Sequence, residues 1–103
     1  MAKIMHLSED RFESTIRENS GKIIIDFWAS WCGPCRSLGK ILDEVSTENE
    51  DITIYKINVD ECSFLTEQYE VSSIPTLLFF NNSKMIDQTI GLMMKHDIVK
   101  KFH

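Results

Sequence analysis

Two cysteines separated by two residues stand in the run Trp31-Cys-Gly-Pro-Cys35. Such a pair can close a small disulfide with little backbone movement, or it can supply half of a metal site. From Pro34 onward Leu38, Ile41, Leu42 and Val45 recur at helical spacing, so the pair is predicted to open a helix running to about Asn49. Cys32 then lies beside unsatisfied backbone N–H groups and the positive end of the helix dipole. Both favour the thiolate, which is the nucleophilic form. Cys35, one turn in, is placed to attack a mixed disulfide formed on Cys32. Pro34 fits near the first helical position, where its missing N–H costs nothing, and Gly33 leaves the approach to Cys32 uncluttered.

A pair of this kind is used by zinc ribbons and haem sites too. Zinc would need two further ligands at a matching spacing, and the remaining candidates are Cys62 and the scattered His6, His96 and His103. No second pair exists, and no histidine follows Cys35 directly as haem attachment requires. Redox chemistry is the better reading. Asp26 is the other chemical anomaly, a carboxylate inside the apolar run Lys22-Ile-Ile-Ile-Asp-Phe-Trp-Ala29. A carboxylate belongs there only if exposed at a bend or functional, and the functional reading is preferred.

The chain that must position these groups has 103 residues, 43% hydrophobic and 26% charged, with a formal net charge of −5. One domain, residues 1–103, is expected. The scattered basic residues argue against nucleic acid as a partner. The longest nearly apolar run is too short to span a bilayer, and the N-terminal residues carry no sustained apolar stretch of the kind that directs export. A cytoplasmic protein with no membrane partner is therefore expected, and in a reducing compartment a close cysteine pair is more often catalytic or metal-binding than structural.

Strands are predicted at Lys3–Leu7, Lys22–Ala29, Ile52–Val59, Thr76–Asn81 and Lys84–Ile90, the last two joined by a turn at Asn82-Ser83. A first helix is expected after Ser8 as N-cap, with Leu7 and Phe12 as a hydrophobic staple, ending near Asn19-Ser20-Gly21. Asp60 is expected to cap a short helix, with Val59 and Phe64 as its staple. A last helix after Gly91 should turn Ile98 and Phe102 inward. Strands alternating with helices mean an α/β sheet covered on both faces.

With these elements in order, the chain resembles the thioredoxin family. Asp26-Phe-Trp-Ala-Ser-Trp-Cys-Gly-Pro-Cys35 matches the family's signature almost residue for residue. Ile41-Leu42-Asp43-Glu44, Lys56-Ile-Asn-Val-Asp60, Ser73-Ile-Pro-Thr-Leu77 and Gly91 follow in order across essentially the whole length. The resemblance implies a five-stranded mixed β-sheet flanked by four helices, two on each face. It implies that Cys32 attacks and Cys35 resolves, that Asp26 is a buried carboxylate beneath the pair, and that Lys56 faces it. Pro75 corresponds to a proline that follows a cis bond and stands next to the disulfide. Trp31, Gly33, Pro34, Ile74, Pro75, Ile90 and Gly91 correspond to a flat patch that receives the substrate protein.

The implied activity is reduction of disulfides in target proteins by a monomer that carries no cofactor and is recharged by a flavin-dependent thioredoxin reductase. The chain has no Gly-rich nucleotide fingerprint of its own. Two alternatives stand beside this. One is an oxidase or isomerase on the same fold, disfavoured by Gly-Pro between the cysteines. The other is a binding subunit that grips one partner with incidental redox activity. Several residues have plainer readings: Trp28 as packing, Trp31 as partial surface contact, Lys56 as an edge residue, Ile74, Ile90 and Leu92 as core. Cys62 reads as a small buried hydrophobe, with a second redox role as its alternative. The chain departs from the family at Lys40, where relatives have a helix-kinking proline, leaving any bend to Gly39. Glu70 and Ser83 stand where glycine is usual, and Met94 where a capping Ser or Asp is expected.

Overall fold

A computed structural model describes residues 4–103. Its strands are β1 (Ile4–His6), β2 (Lys22–Trp28), β3 (Ile52–Asn58), β4 (Thr76–Asn81) and β5 (Lys84–Ile90). Its helices are α1 (Phe12–Glu18, preceded by a 3-10 turn at Glu9–Arg11), α2 (Gly33–Glu48), α3 (Ser63–Gln68) and α4 (Lys95–Lys100). Lys3, expected to begin the first strand, lies outside the described residues.

The strands form one mixed sheet in the order β1-β3-β2-β4-β5. β1, β3 and β2 run parallel, while β4 is antiparallel to β2 and β5 to β4. β2 is central, and Ile23 through Phe27 are all buried. Its residues alternate between two cores. Ile23, Ile25 and Phe27 join Phe12 and Ile16 of α1 and Leu65 of α3 on one face. Ile24 joins Leu38, Leu42 and Val45 of α2 and Ile98 of α4 on the other. Alternation therefore aims Asp26 at the α2 side. The expected two-on-two arrangement is what forms, and α2 is a single uninterrupted helix across Gly39-Lys40. Phe102 packs edge-on against Phe79, ring centroids 5.8 Å apart, as the inward-facing reading of the last helix required.

The helix ends differ from the local rules. Ser8 is extended, but its hydroxyl makes no capping bond. Asp60 does not cap α3, whose N-cap is Cys62 without a side-chain bond. Phe64 is 67% exposed, so the Val59–Phe64 staple does not form. The Leu65 N–H instead donates to Glu9 Oε2 at 2.8 Å, so the third residue of α3 is satisfied by a carboxylate from the first 3-10 turn. At the other end, Glu70 N–H donates to Glu67 O and Val71 N–H to Thr66 O, at 3.0 and 2.9 Å. That is a Schellman closure, and Glu70 occupies its left-handed position at φ 53°. The β4–β5 turn likewise places Asn82 and Ser83 at φ 54° and 63°, the geometry of a type I′ hairpin turn. The β4–β5 register shifts between Phe79 and Phe80, leaving Ile86 unmatched as a bulge.

Two outcomes follow. Glu70→Gly should stabilise the protein by about 0.5–1 kcal/mol, relief of left-handed strain outweighing the glycine's greater unfolded entropy. Glu9→Ala should cost about 1 kcal/mol by leaving the Leu65 amide without its acceptor. Urea midpoints at constant m-value measure both.

Candidate active site

The site forms where β2 ends and α2 begins. The turn brings the Cys32 N–H to the Ala29 carbonyl at 3.2 Å, and Gly33 and Pro34 start the helix with Pro34 in its first turn. Cys32 is the N-cap. Its Sγ accepts the Cys35 N–H at 3.2 Å, one of the amides a helix start leaves unsatisfied. Cys32 and Cys35 are joined as a disulfide with Cα atoms 5.3 Å apart. Both are buried and pack with Ala29, flanked by Trp28, Val59 and Ile74. Val59 thus packs against the cysteine pair as well as against the core that holds Leu65 of α3.

The Ile74–Pro75 bond is cis. The turn is braced by the Thr76 hydroxyl donating to the Ser73 carbonyl at 2.6 Å, and it brings the Ile74 carbonyl oxygen to 3.9 Å from Cys32 Sγ. The Gly91 N–H donates to the Pro75 carbonyl at 2.8 Å. This fixes the end of β5 beside the same loop, and Gly91 has φ 94°, a value that favours glycine. Ile90 is 65% exposed and Trp31 67% exposed, while Ile74 is half-buried. The core reading of Ile90 and Leu92 is therefore replaced by a surface one. Trp31 donates its indole N–H to Asp60 Oδ2 at 2.9 Å. Asp60 is a residue the sequence assigned to capping, and the structure gives it to Trp31.

Asp26 is fully buried on the α2 side, and neither carboxylate oxygen has a hydrogen-bond partner. Lys56 is its register partner on β3 and is half-buried between β1 and β2, not at an edge. Burial pushes the Asp26 carboxyl up to about 7, and the Lys56 charge offsets part of that rise. A cavity of about 490 Å³ opens on the same side of the sheet, lined among others by Trp28, Cys35, Gly39 and Lys56. Trp28, read from the sequence as packing, is thus also a wall of that cavity. Cys62 is a buried free thiol, pushed up by its burial and by the nearby Glu9 and Glu61 carboxylates, which makes it a poor nucleophile. Among the described residues no group of three or more His, Cys, Asp or Glu could hold a metal ion.

The sequence model of the family described as thioredoxin matches residues 3–103. The chain belongs to the thioredoxin family. It is 46% identical over 95 residues to a thioredoxin of Chlamydia pneumoniae, covering 92% of this chain and 89% of that protein. It is 37% identical over 93 residues to a thioredoxin of Mycoplasmoides gallisepticum, covering 90% of this chain and 93% of the relative. Membership and the closed Cys32–Cys35 pair together make the protein a dithiol–disulfide oxidoreductase, with protein-disulfide reductase activity.

The buried carboxylate fixes the sign of a pH effect. A group whose folded pKa lies above its unfolded value contributes stability that is complete below the unfolded value and lost as pH rises through the folded one. For Asp26 that window runs from the ordinary carboxylate range to about 7, and the amount at stake is about 4 kcal/mol. Asp26→Ala should therefore melt higher than the parent at pH 8, with the gain shrinking as pH falls toward 4. Thermal melts of both proteins across that range measure it. A variant that melts lower at pH 8 would show that the ionised carboxylate is not the cost.

Proposed function

We propose that Cys32 is the attacking thiol and Cys35 the resolving one, with Asp26 as the proton acceptor for resolution and Lys56 as the charge that tunes it. The observation that carries the first assignment is the Cys35 N–H aimed at Cys32 Sγ, which favours negative charge on Cys32 alone. The Cys32 thiolate attacks one sulfur of a target disulfide, whose S–S bond breaks as a mixed disulfide forms and one target cysteine leaves as thiolate. Cys35 then gives its proton to Asp26, directly or through a water, and attacks Cys32 Sγ. The second target cysteine leaves, two electrons have moved to the target, and the pair ends as a disulfide. A carboxylate near neutral pKa is suited to this step, being part ionised at pH 7 and a stronger base than an ordinary one.

Trp31, Gly33, Pro34, Ile74, Pro75, Ile90 and Gly91 form the face that receives the target. Trp31 and Ile90 are exposed, and an extended target segment would pair with the backbone around Ile74. The family implies disulfide-containing target proteins, with a thioredoxin reductase returning Cys32 and Cys35 to thiols. Residues 1–103 act as one domain, as a monomer, in the cytoplasm; the net charge of −5 disfavours nucleic acid as a partner, and no described helix is long and apolar enough to cross a membrane.

Trapping tests the division of labour. Cys32→Ser should abolish reduction of a protein disulfide, with a loss of at least about 10³-fold as expected when a nucleophile is removed. Cys35→Ser should accumulate a covalent mixed disulfide with the target, seen as a mass adduct that dithiothreitol reverses. Equal trapping by both variants would overturn the assignment.

A further inference from the structure

Trp28 ends β2 two positions beyond Asp26, and so shares its α2-facing side of the sheet. Two groups meet its ring. Lys56 Nζ lies over the face, 4.7 Å from the ring centroid, and the His6 ring meets it edge-on with centroids 5.7 Å apart. His6 and Lys56 are register partners on β1 and β3, as Lys56 and Asp26 are on β3 and β2. The Lys56 ammonium therefore has two attractive positions, over the electron-rich indole or against the carboxylate. It takes the first, and neither oxygen of Asp26 has a hydrogen-bond partner. Gly39 of α2 faces it across the cavity, where a Cβ would stand in ordinary contact at 3.8 Å from Lys56 Nζ.

The other charged groups around this cavity come from α2. Arg36 donates to the Ser30 carbonyl at 3.1 Å, while Lys40 and Asp43 are exposed lining residues. β4 places only Leu77 opposite Asp26. Lys56 is thus the buried-side cation, and what matters is how closely it approaches. Direct contact would hold Asp26 ionised and make it a weak base. Full removal would leave it protonated at neutral pH and unable to accept a proton.

We propose that Trp28 is a positioning residue for the resolving step: its indole face holds the Lys56 ammonium over the ring and out of contact with Asp26, keeping that carboxylate unpaired. The consequence for catalysis rests on Asp26 being the proton acceptor; the placement of Lys56 does not.

The test follows the Asp26 carboxyl through its titration by NMR in the reduced protein, and separately follows the pH profile of mixed-disulfide resolution. Trp28→Leu frees Lys56 to pair with Asp26, so the midpoint should fall by about one pH unit or more, tenfold in the ionisation constant. Trp28→Phe, which keeps a ring face, should hold the midpoint near the parent's. Water entering an emptied site would also lower the midpoint, but without need of Lys56. In a Lys56→Met background, Trp28→Leu should therefore produce no such fall. An unchanged midpoint in Trp28→Leu, or an equal fall in the Lys56→Met background, overturns the proposal. One measurement needs no variant: the Lys56 side-chain methylene protons next to Nζ should be shifted upfield by the indole ring current, and ordinary shifts there would overturn it too. If the midpoints move as stated while the resolution profile does not follow them, the positioning stands and the role of Asp26 as base fails.

Discussion

A carboxylate without a hydrogen-bond partner at the centre of a sheet is the constraint around which this site is arranged. Burying a charge is costly unless it is paired, and Asp26 answers by staying protonated into the neutral range. Everything near it is compatible with a group that titrates close to neutral pH. The apolar strand β2 supplies the desolvation, α2 covers the carboxylate on the side where Cys35 emerges, and Lys56 supplies a single unbonded positive charge. A site with a second close cation would lose the basicity, and one without Lys56 would lose the ionisation. The stability given up at alkaline pH is the measure of what the fold tolerates in order to keep a titratable group there.

The cysteine pair shows the complementary use of unsatisfied groups. A helix start leaves amides without intrahelical acceptors, and here one of them meets a sulfur. No positively charged side chain is required for that, which is why a helix start is an economical place for a nucleophilic thiol. The loop beside the pair is equally backbone-driven. The cis Ile74–Pro75 turn sets a carbonyl beside Cys32, and Gly91 ties the end of β5 to the same turn through one N–H.

How much of this could be read from the sequence varied with the range of the interaction. β2 was legible because a β-branched, aromatic run buried on both faces has few other readings, and α2 because Leu38, Leu42 and Val45 repeat at helical spacing. Asp26 was legible as a contradiction, a charge where none belongs. Lys56 had no signal in its own neighbourhood and was found only by resemblance. The start of α3 was misread for a physical reason. Capping rules look three or four residues along the chain, so Asp60 was the natural candidate, yet the acceptor is Glu9, from 56 residues away. With its amide served from elsewhere, α3 starts at Ser63, Phe64 turns to solvent, and Asp60 is free to hold Trp31.

The bulge in the last hairpin bears on how the molecule avoids its own kind. A five-stranded open sheet has two edges, each a row of unused N–H and C=O groups able to recruit a further strand. One edge is β1, described over Ile4–His6. On the other, the register shift at Phe79/Phe80 breaks the straight run of β5 where Met85 and Ile86 are exposed, and Asp87 there is bonded to Lys101. Lateral growth of the sheet, the first step toward aggregation, is thereby obstructed on the β5 side. The flank that carries exposed Met85 and Ile86 is closed to a further strand.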